Sequence, residues 1–247
     1  MKRNRAVLVT GASRGIGRAV ATAFAAGGDR VALHYGTRRE AAEEALNSLP
    51  GTGHCLVQGD LGTPEGAAAV AASAIDALGP LDVLVNNAGT NTAHPPADTS
   101  FGDWHGAWRR IVDVNLLGTA HVSYCVARNM IDNGTAGRIV NVGSRGAFKG
   151  EPDHPAYGAT KAAVHALGQS LAVALAPYGI AVASVAPGFV DTERVTDRID
   201  DAVRRQSPFG RVATPEEIAA AVTYLASPEA VWSSGAVLDV NGASYLR

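Results

Sequence analysis

The sequence predicts an α/β domain of three layers, with a doubly wound, mostly seven-stranded parallel sheet between two layers of helices. Three observations predict it. Short apolar runs alternate along the chain with amphipathic or alanine-rich stretches, the pattern of repeated strand–helix–strand units. The apolar runs lack polar alternation, as strands covered on both faces require. Glycine is abundant, 28 of 247 residues, and often falls between a strand and the next helix, where the chain must turn or let a ligand approach.

The elements follow in order. A strand over Ala6–Thr10 leads through GASRGIG into a helix over Gly15–Ala26, which Gly27 and Gly28 end. Strand Val31–Tyr35 precedes a helix over Arg38–Leu49. Strand His54–Gln58 precedes a helix over Pro64–Leu78, with Pro64 at its first position. After strand Val83–Asn86 comes one long helical stretch, Phe101–Asn133, broken near Gly118. Strand Arg138–Val142 is followed by a helix over Tyr157–Tyr178, with Pro177 at its end. Strand Ala181–Ala186, helices over Thr196–Gln206 and Pro215–Ala226, and strand Val237–Val240 complete the chain.

Hydrophobic residues make up 47% of the sequence, enough for the core of one domain spanning 1–247. The formal net charge of −2 gives no electrostatic case for nucleic acid or an anionic membrane. The basic start MKRNR is too short and too charged for a signal peptide. No apolar run approaches the roughly 18 residues that span a bilayer. Cys55 and Cys125 lie in apolar surroundings without metal-like spacing, so the expectation is reduced thiols, no metal and a cytoplasmic protein.

The first turn has the makings of a dinucleotide cradle. Gly11, Gly15 and Gly17 carry the spacing GxxxGxG between the first strand and the first helix. Such glycines permit a sharp turn and close approach of a pyrophosphate, which the helix N-terminus attracts. Ser13, Arg14 and Ile16 fill the same loop. The second strand ends in HYGTRRE, with no carboxylate before Glu40 to bind ribose hydroxyls. Arg14 and Arg38, with Thr37 as a hydrogen-bond donor, suit a 2′-phosphate instead and predict NADP(H). Asp60 either accepts from the adenine amino group or caps the next helix, with Leu61 beside it. Asn86, Asn87, Ala88 and Gly89 suit close backbone approach and bracing across the sheet.

Tyr157 and Lys161 stand at i and i+4 in AYGATKAAV, so they share one helix face. A lysine cation beside a phenol favours the phenolate, which an isolated tyrosine reaches only near pH 10 by general reference values. Ser144 closes the strand segment RIVNVGS upstream.

Taken in order, TGASRGIG, NNAG, Asn115 in DVNLLG, Ser144, YGATK and Pro187-Gly188 resemble the short-chain dehydrogenase/reductase family over essentially the whole chain. SRGIG, FGRVATPEEIA and SSGAVLDVNG resemble its 3-oxoacyl-[acyl-carrier-protein] reductase and glucose dehydrogenase branch. The resemblance implies a single Rossmann domain that contains its own catalytic site. It implies that Tyr157 is the acid in reduction and the base in oxidation, and that Ser144 holds the substrate carbonyl. Lys161 would bind the nicotinamide ribose and lower the Tyr157 pKa, and Asn115 would kink its helix and anchor a proton relay. Pro187, Gly188, Val190 and Thr192 would line the nicotinamide. The implied activity is NADPH-dependent reduction of a ketone, a 3-oxoacyl thioester or related carbonyl, to a secondary alcohol. The alternatives are an NADP-dependent alcohol or sugar dehydrogenase and a regulator that binds dinucleotide without catalysis. The expected partners are a small-molecule carbonyl or alcohol, one borne on an acyl carrier protein included, and further copies of the chain in a homotetramer or homodimer. Ala162, Ala163, Ala166, Leu167 and Leu171 offer the pairing helix more apolar surface than one sheet face needs.

Three features depart from the family pattern. The segment between NNAG and Asn115 is longer than usual and holds Trp104, His105 and Trp108, read as packing the helix start rather than shaping the entrance. The segment between Ser144 and Tyr157 offers Arg145, Phe148, Glu151 and His154 as candidates for substrate contact. Arg145 and Lys149, with Arg109 and Arg110, are also the candidates for a basic patch facing a carrier protein. NGA stands where DGG is more usual near the C-terminus.

Overall fold

The computed structural model describes residues 4–193 and 199–247. Its strands are β1 (Ala6–Val9), β2 (Arg30–Tyr35), β3 (Cys55–Gln58), β4 (Val83–Asn86), β5 (Arg138–Val142), β6 (Ala181–Pro187) and β7 (Val237–Val240). The helices are α1 (Gly15–Ala26), α2 (Arg39–Asn47), α3 (Pro64–Leu78), α4 (Phe101–Val112), α5 (Thr119–Asp132), α6 (Pro155–Leu175), α7 (Asp201–Arg204) and α8 (Pro215–Leu225). The seven strands form one sheet in the order β3-β2-β1-β4-β5-β6-β7, and every pairing is parallel. Strand order reverses between β1 and β4, and the crevice beyond the strand C-termini at that point is where such sheets bind ligands.

The alternation of β1 divides the core. Val7 and Val9 face a cluster closed by α1 and α8, with Phe24, Leu33, Val85 and Ile218. Ala6 and Leu8 face a second cluster with Val70 of α3, Val122 and Met130 of α5, and Ile139. All four β1 side chains are fully buried, which is why the run reads as uninterruptedly apolar. Each large aliphatic chain so buried contributes about 1.5–3 kcal/mol.

Four local features differ from the sequence expectation. The long helical stretch is not merely kinked at Gly118: Asp113–Gly118 forms a π turn between α4 and α5. Thr63, not Asp60, caps α3, accepting from the Gly66 amide at 3.1 Å. Arg38 occupies the N-cap position of α2 rather than its first turn. The helix expected over Thr196–Gln206 is the single turn α7, because Asp200 accepts from the Val203 amide and starts it there; its residues 196–198 lie outside the described ones. At the NGA departure, Ala243 holds φ +56, the left-handed region that a glycine would occupy more easily.

Among the described residues no helix is long and apolar enough to cross a membrane, and no group of three or more His, Cys, Asp or Glu could hold a metal. Cys55 and Cys125 are free thiols, both pushed up in pKa by burial.

Candidate active site

A cleft of about 730 Å³ runs across the strand C-termini. One end is built by backbone. Gly11 (φ +64) and Gly15 (φ +53) turn the chain between β1 and α1. Gly17 packs so closely that an added Cβ would lie 2.3 Å from the Gly11 carbonyl oxygen and 2.5 Å from Asn87 Nδ2. The α1 N-terminus has no acidic residue in its first turn and no side-chain cap, so its amides face the cleft as a phosphate would require.

Histidine fixes the glycine loop from below. The Gly11 amide donates to His34 Nδ1 at 3.1 Å, which leaves the ring proton on Nε2, 3.1 Å from the Gly59 carbonyl oxygen. Burial holds His34 below the ordinary histidine pKa, as this neutral tautomer needs. Beside the loop, Thr10 Oγ1 accepts from the Asn87 and Ala88 amides, each at 3.0 Å. Asn87 Nδ2 donates to the carbonyls of Thr10 and Gly11, and Asn86 bridges to Ser123 and Asn141. This is the cross-sheet bracing expected of the NNAG turn.

Every residue proposed from sequence for the dinucleotide lines this cleft: Gly11, Ser13, Arg14, Gly15, Ile16, Gly17, Thr37, Arg38, Asp60, Leu61, Asn87, Ala88, Gly89, Tyr157, Lys161, Pro187, Gly188, Val190 and Thr192. The two adjacent arginines have parted. Arg39 pairs with Glu43 along exposed α2, whereas Arg38 faces the cleft. Asp60 Oδ1 accepts from the Gly62 amide, and its other oxygen lies 3.5 Å from Arg110.

At the other end, Ser144 and Tyr157 meet in the same cleft. Ser144 Oγ accepts from the Gly146 amide at 3.0 Å, so its hydroxyl hydrogen is free to turn outward. Lys161 is buried, donates to the Val142 carbonyl at 2.7 Å, and has its ammonium 5.7 Å from the Tyr157 ring centre. Asn115 stands behind this group rather than in the cleft lining. From the π turn, its side chain grips the Thr90 backbone at both ends, accepting at 2.7 Å and donating at 3.0 Å. A π turn of this kind is frequent at functional sites because it re-aims one residue.

Two histidines support the site without any local sequence signal. His94 is 1% exposed. Its Nδ1 lies 2.7 Å from the Thr92 carbonyl oxygen, and its Nε2 accepts from the Ala156 amide at 3.1 Å. It therefore caps the helix whose next residue is Tyr157. Trp104 and Trp108 meet its ring edge-on, so these tryptophans pack the helix start as expected, while His105 is exposed. His165 lies one turn beyond Lys161. Neither ring nitrogen has a hydrogen-bond partner, the nearby Val185 backbone falling outside bonding geometry. Burial, then the Lys161 and Arg247 charges, lowers its pKa to about 4. The ring supports Gly143, where an added Cβ would strike Nε2 at 1.8 Å.

The Ser144–Tyr157 segment corrects two expectations. Phe148 is absent from the cleft lining and stacks on His165 at 5.2 Å, with the Arg247 guanidinium 4.3 Å from its ring centre. Arg145 is buried, held by Ser244 Oγ and Gln206 Oε1, with its guanidinium over Phe189. It lines the cleft but adds nothing to an exposed basic patch. Glu151 and His154 do line the cleft.

With this geometry in view, residues 5–202 match the family model for short chain dehydrogenase. The chain is 36% identical to an L-rhamnose 1-dehydrogenase (NAD(P)(+)) of Sphingomonas sp., over 98% of this chain and 97% of that protein. It is also 36% identical to the 3-oxoacyl-[acyl-carrier-protein] reductase FabG of Vibrio cholerae, over 98% of each. A solved structure titled short chain dehydrogenase/reductase family protein superposes with a TM-score of 0.87 at 36% identity, covering 97% of this chain and 96% of its own.

Proposed function

Since the chain belongs to the short-chain dehydrogenase/reductase family and is an oxidoreductase acting on CH–OH groups, we propose that it reduces a ketone to a secondary alcohol with NADPH, Tyr157 supplying the proton. One observation carries the reading: Ser144, Tyr157 and Lys161 converge on a cleft whose far end bears Arg14, Thr37 and Arg38. The glycine loop and the α1 N-terminus would hold the pyrophosphate, those three residues the 2′-phosphate, and Asp60 and Leu61 the adenine. Asn87, Ala88, Gly89, Pro187, Gly188, Val190 and Thr192 would flank the nicotinamide, with Ser13 and Ile16 along the phosphates. The bound nicotinamide supplies the hydride.

The protein supplies alignment and a proton. Ser144 donates to the carbonyl oxygen, and Tyr157 donates to the same atom and then gives up its proton as alkoxide charge develops. Lys161 favours the ionised phenol that remains, and Asn115 keeps the Thr90 turn and the relay behind Lys161 in place. Oxidation of an alcohol or sugar runs through the same atoms in reverse. For an acyl thioester on a carrier protein, the basic contribution expected of Arg145 is missing, which leaves Lys149, Arg109 and Arg110 for such a partner.

The assembly reading is a cytoplasmic homotetramer. Two separate apolar surfaces support it: Leu117, Tyr124 and Val173 on the π turn, α5 and α6, and Trp232, Leu238 and Leu246 around edge strand β7. Light scattering that finds only monomer at micromolar concentration would refute it.

The deciding assay follows NADPH consumption with acyl thioesters and cyclic ketones, and NADP⁺ reduction with alcohols and sugars. Tyr157→Phe should lower turnover by about 10²–10⁴-fold while sparing NADPH binding. Substantial remaining turnover would remove Tyr157 from its role, and a clear preference for NADH would remove the 2′-phosphate assignment. NADPH binding with no turnover on any substrate would point to a dinucleotide-binding regulator instead.

A further inference from the structure

We propose that the alcohol or ketone handled here is polyhydroxylated, a sugar or a sugar-like polyol, and that Glu151 recognises hydroxyls next to the reacting carbon. The proposal rests on the reading of Ser144 and Tyr157 as the reacting pair. The cleft lining divides by chemistry. Where the Gly89 turn and the Ser144–Tyr157 segment form the wall, the described lining beyond the reacting pair is Thr90, Asn91, Arg145, Glu151, Asp153 and His154. All six are polar. The Phe189 ring, also in the cleft lining, carries the Arg145 guanidinium over one face at 5.1 Å. An acyl chain or a fused apolar ring gains free energy from the apolar surface it covers, and this wall offers almost none. It would also strip water from Glu151 without replacing the lost hydrogen bonds.

Glu151 is the centre of the wall. It is half-buried, with Oε1 2.5 Å from where a Gly146 Cβ would stand and its stem 3.7 Å from where a Gly158 Cβ would stand. The two glycines thus leave room for this side chain against the helix that carries Tyr157. Among the described residues its carboxylate accepts no hydrogen bond. Burial raises its pKa, opposed by the charges of Arg145, His154 and Lys149. A carboxylate has two oxygens that only accept, and vicinal hydroxyls present two donors at matching spacing. Two further groups on the same wall lack partners: Asn91 Oδ1 and His154 Nδ1 are buried and unbonded. Buried polar groups left unpaired are costly, and additional hydroxyls of one substrate would supply their partners.

The test compares probes of stated chemistry. Aldoses and alditols are offered with NADP⁺, against cyclohexanol with NADP⁺ and cyclohexanone and a 3-oxoacyl thioester with NADPH. The expected result is a kcat/KM for the best polyol about tenfold or more above that for cyclohexanol. In Glu151→Gln, which keeps the side-chain volume, the polyol KM should rise about tenfold relative to that of cyclohexanone. Unchanged NADPH affinity confirms that the variant is folded. A preference for the thioester or the cyclic ketone overturns the proposal and leaves the assigned chemistry intact. So does a polyol KM indifferent to Glu151→Gln. Absence of turnover on every probe while NADPH still binds overturns both readings.

Discussion

The two ends of the cleft are held in different ways. At the glycine-loop end each contact engages backbone and at most one side chain: Gly17 against the Gly11 carbonyl, Thr10 and Asn87 joining β1 to the turn after β4, and His34 accepting from the Gly11 amide. At the Tyr157 end, large side chains from distant segments do the holding. His94 caps α6 from sixty-two residues upstream, and Arg145 reaches Ser244 ninety-nine residues away. A phosphate is the same in every dinucleotide, so backbone and glycine suffice to meet it. A substrate varies, and a wall made of side chains can be changed without moving the sheet.

The contrast is broken most directly at Gly17. Gly17→Ala puts a methyl against a carbonyl oxygen that cannot move without the loop, at about 3 kcal/mol. NADPH affinity should fall about 100-fold by fluorescence titration, while kcat at saturating coenzyme changes far less. Near-normal affinity would mean that the loop is softer than its packing implies.

The second test is pH. The folded protein keeps His165 neutral down to about pH 4, against 6.5 for the ordinary group. Between those values the unfolded chain binds the extra proton. The contribution of His165 is therefore complete above pH 6.5 and is lost as the pH falls towards 4, amounting to about 2 kcal/mol at pH 5. Chemical unfolding at pH 5 and pH 8 should show this loss, and His165→Leu should remove that share of it. His34, also held low by burial, acts in the same direction at the coenzyme end.

His94→Ala sharpens the contrast with the smallest effect. Losing the cap on α6 loosens the turn that carries Tyr157 by about 1 kcal/mol, so kcat should fall about fivefold at most with the NADPH dissociation constant unchanged. Equal losses in both would show that the two ends are mechanically coupled.

This division also decides what could be read from sequence. All seven strands and the dinucleotide loop were legible because they are written locally, in unbroken apolar runs and in glycine spacing. Tyr157 and Lys161 were legible because a helix turns i and i+4 to one face. The π turn was not, since nothing in DVNLLG distinguishes it from a kinked α-helix. A lone histidine carries no sign of its partner, so His94 and His165 were invisible until Ala156 and Gly143 were placed beside them. Phe148 was a candidate for substrate contact because loop sequence does not tell which side chains turn inward, and for the same reason the buried Arg145 was counted towards an exposed basic patch. Of the helix expected over Thr196–Gln206, the described residues hold a single turn, which the Asp200 cap starts and which ends at Arg204.

The π turn at Asp113–Gly118 has a consequence for how this chain can vary. It carries one residue more per turn than the helices on either side. Deleting one residue there would heal the helix and leave α5 facing almost as it does now, because the extra residue is the one that the wide turn absorbs. Val122, Val126 and Met130, now wholly buried, would stay in the core, whereas Asn115 would lose its hold on Thr90. The stretch thus works as a spacer that the core does not notice: the sheet side tolerates either count, and only the grip of Asn115 on the Thr90 backbone requires the extra residue.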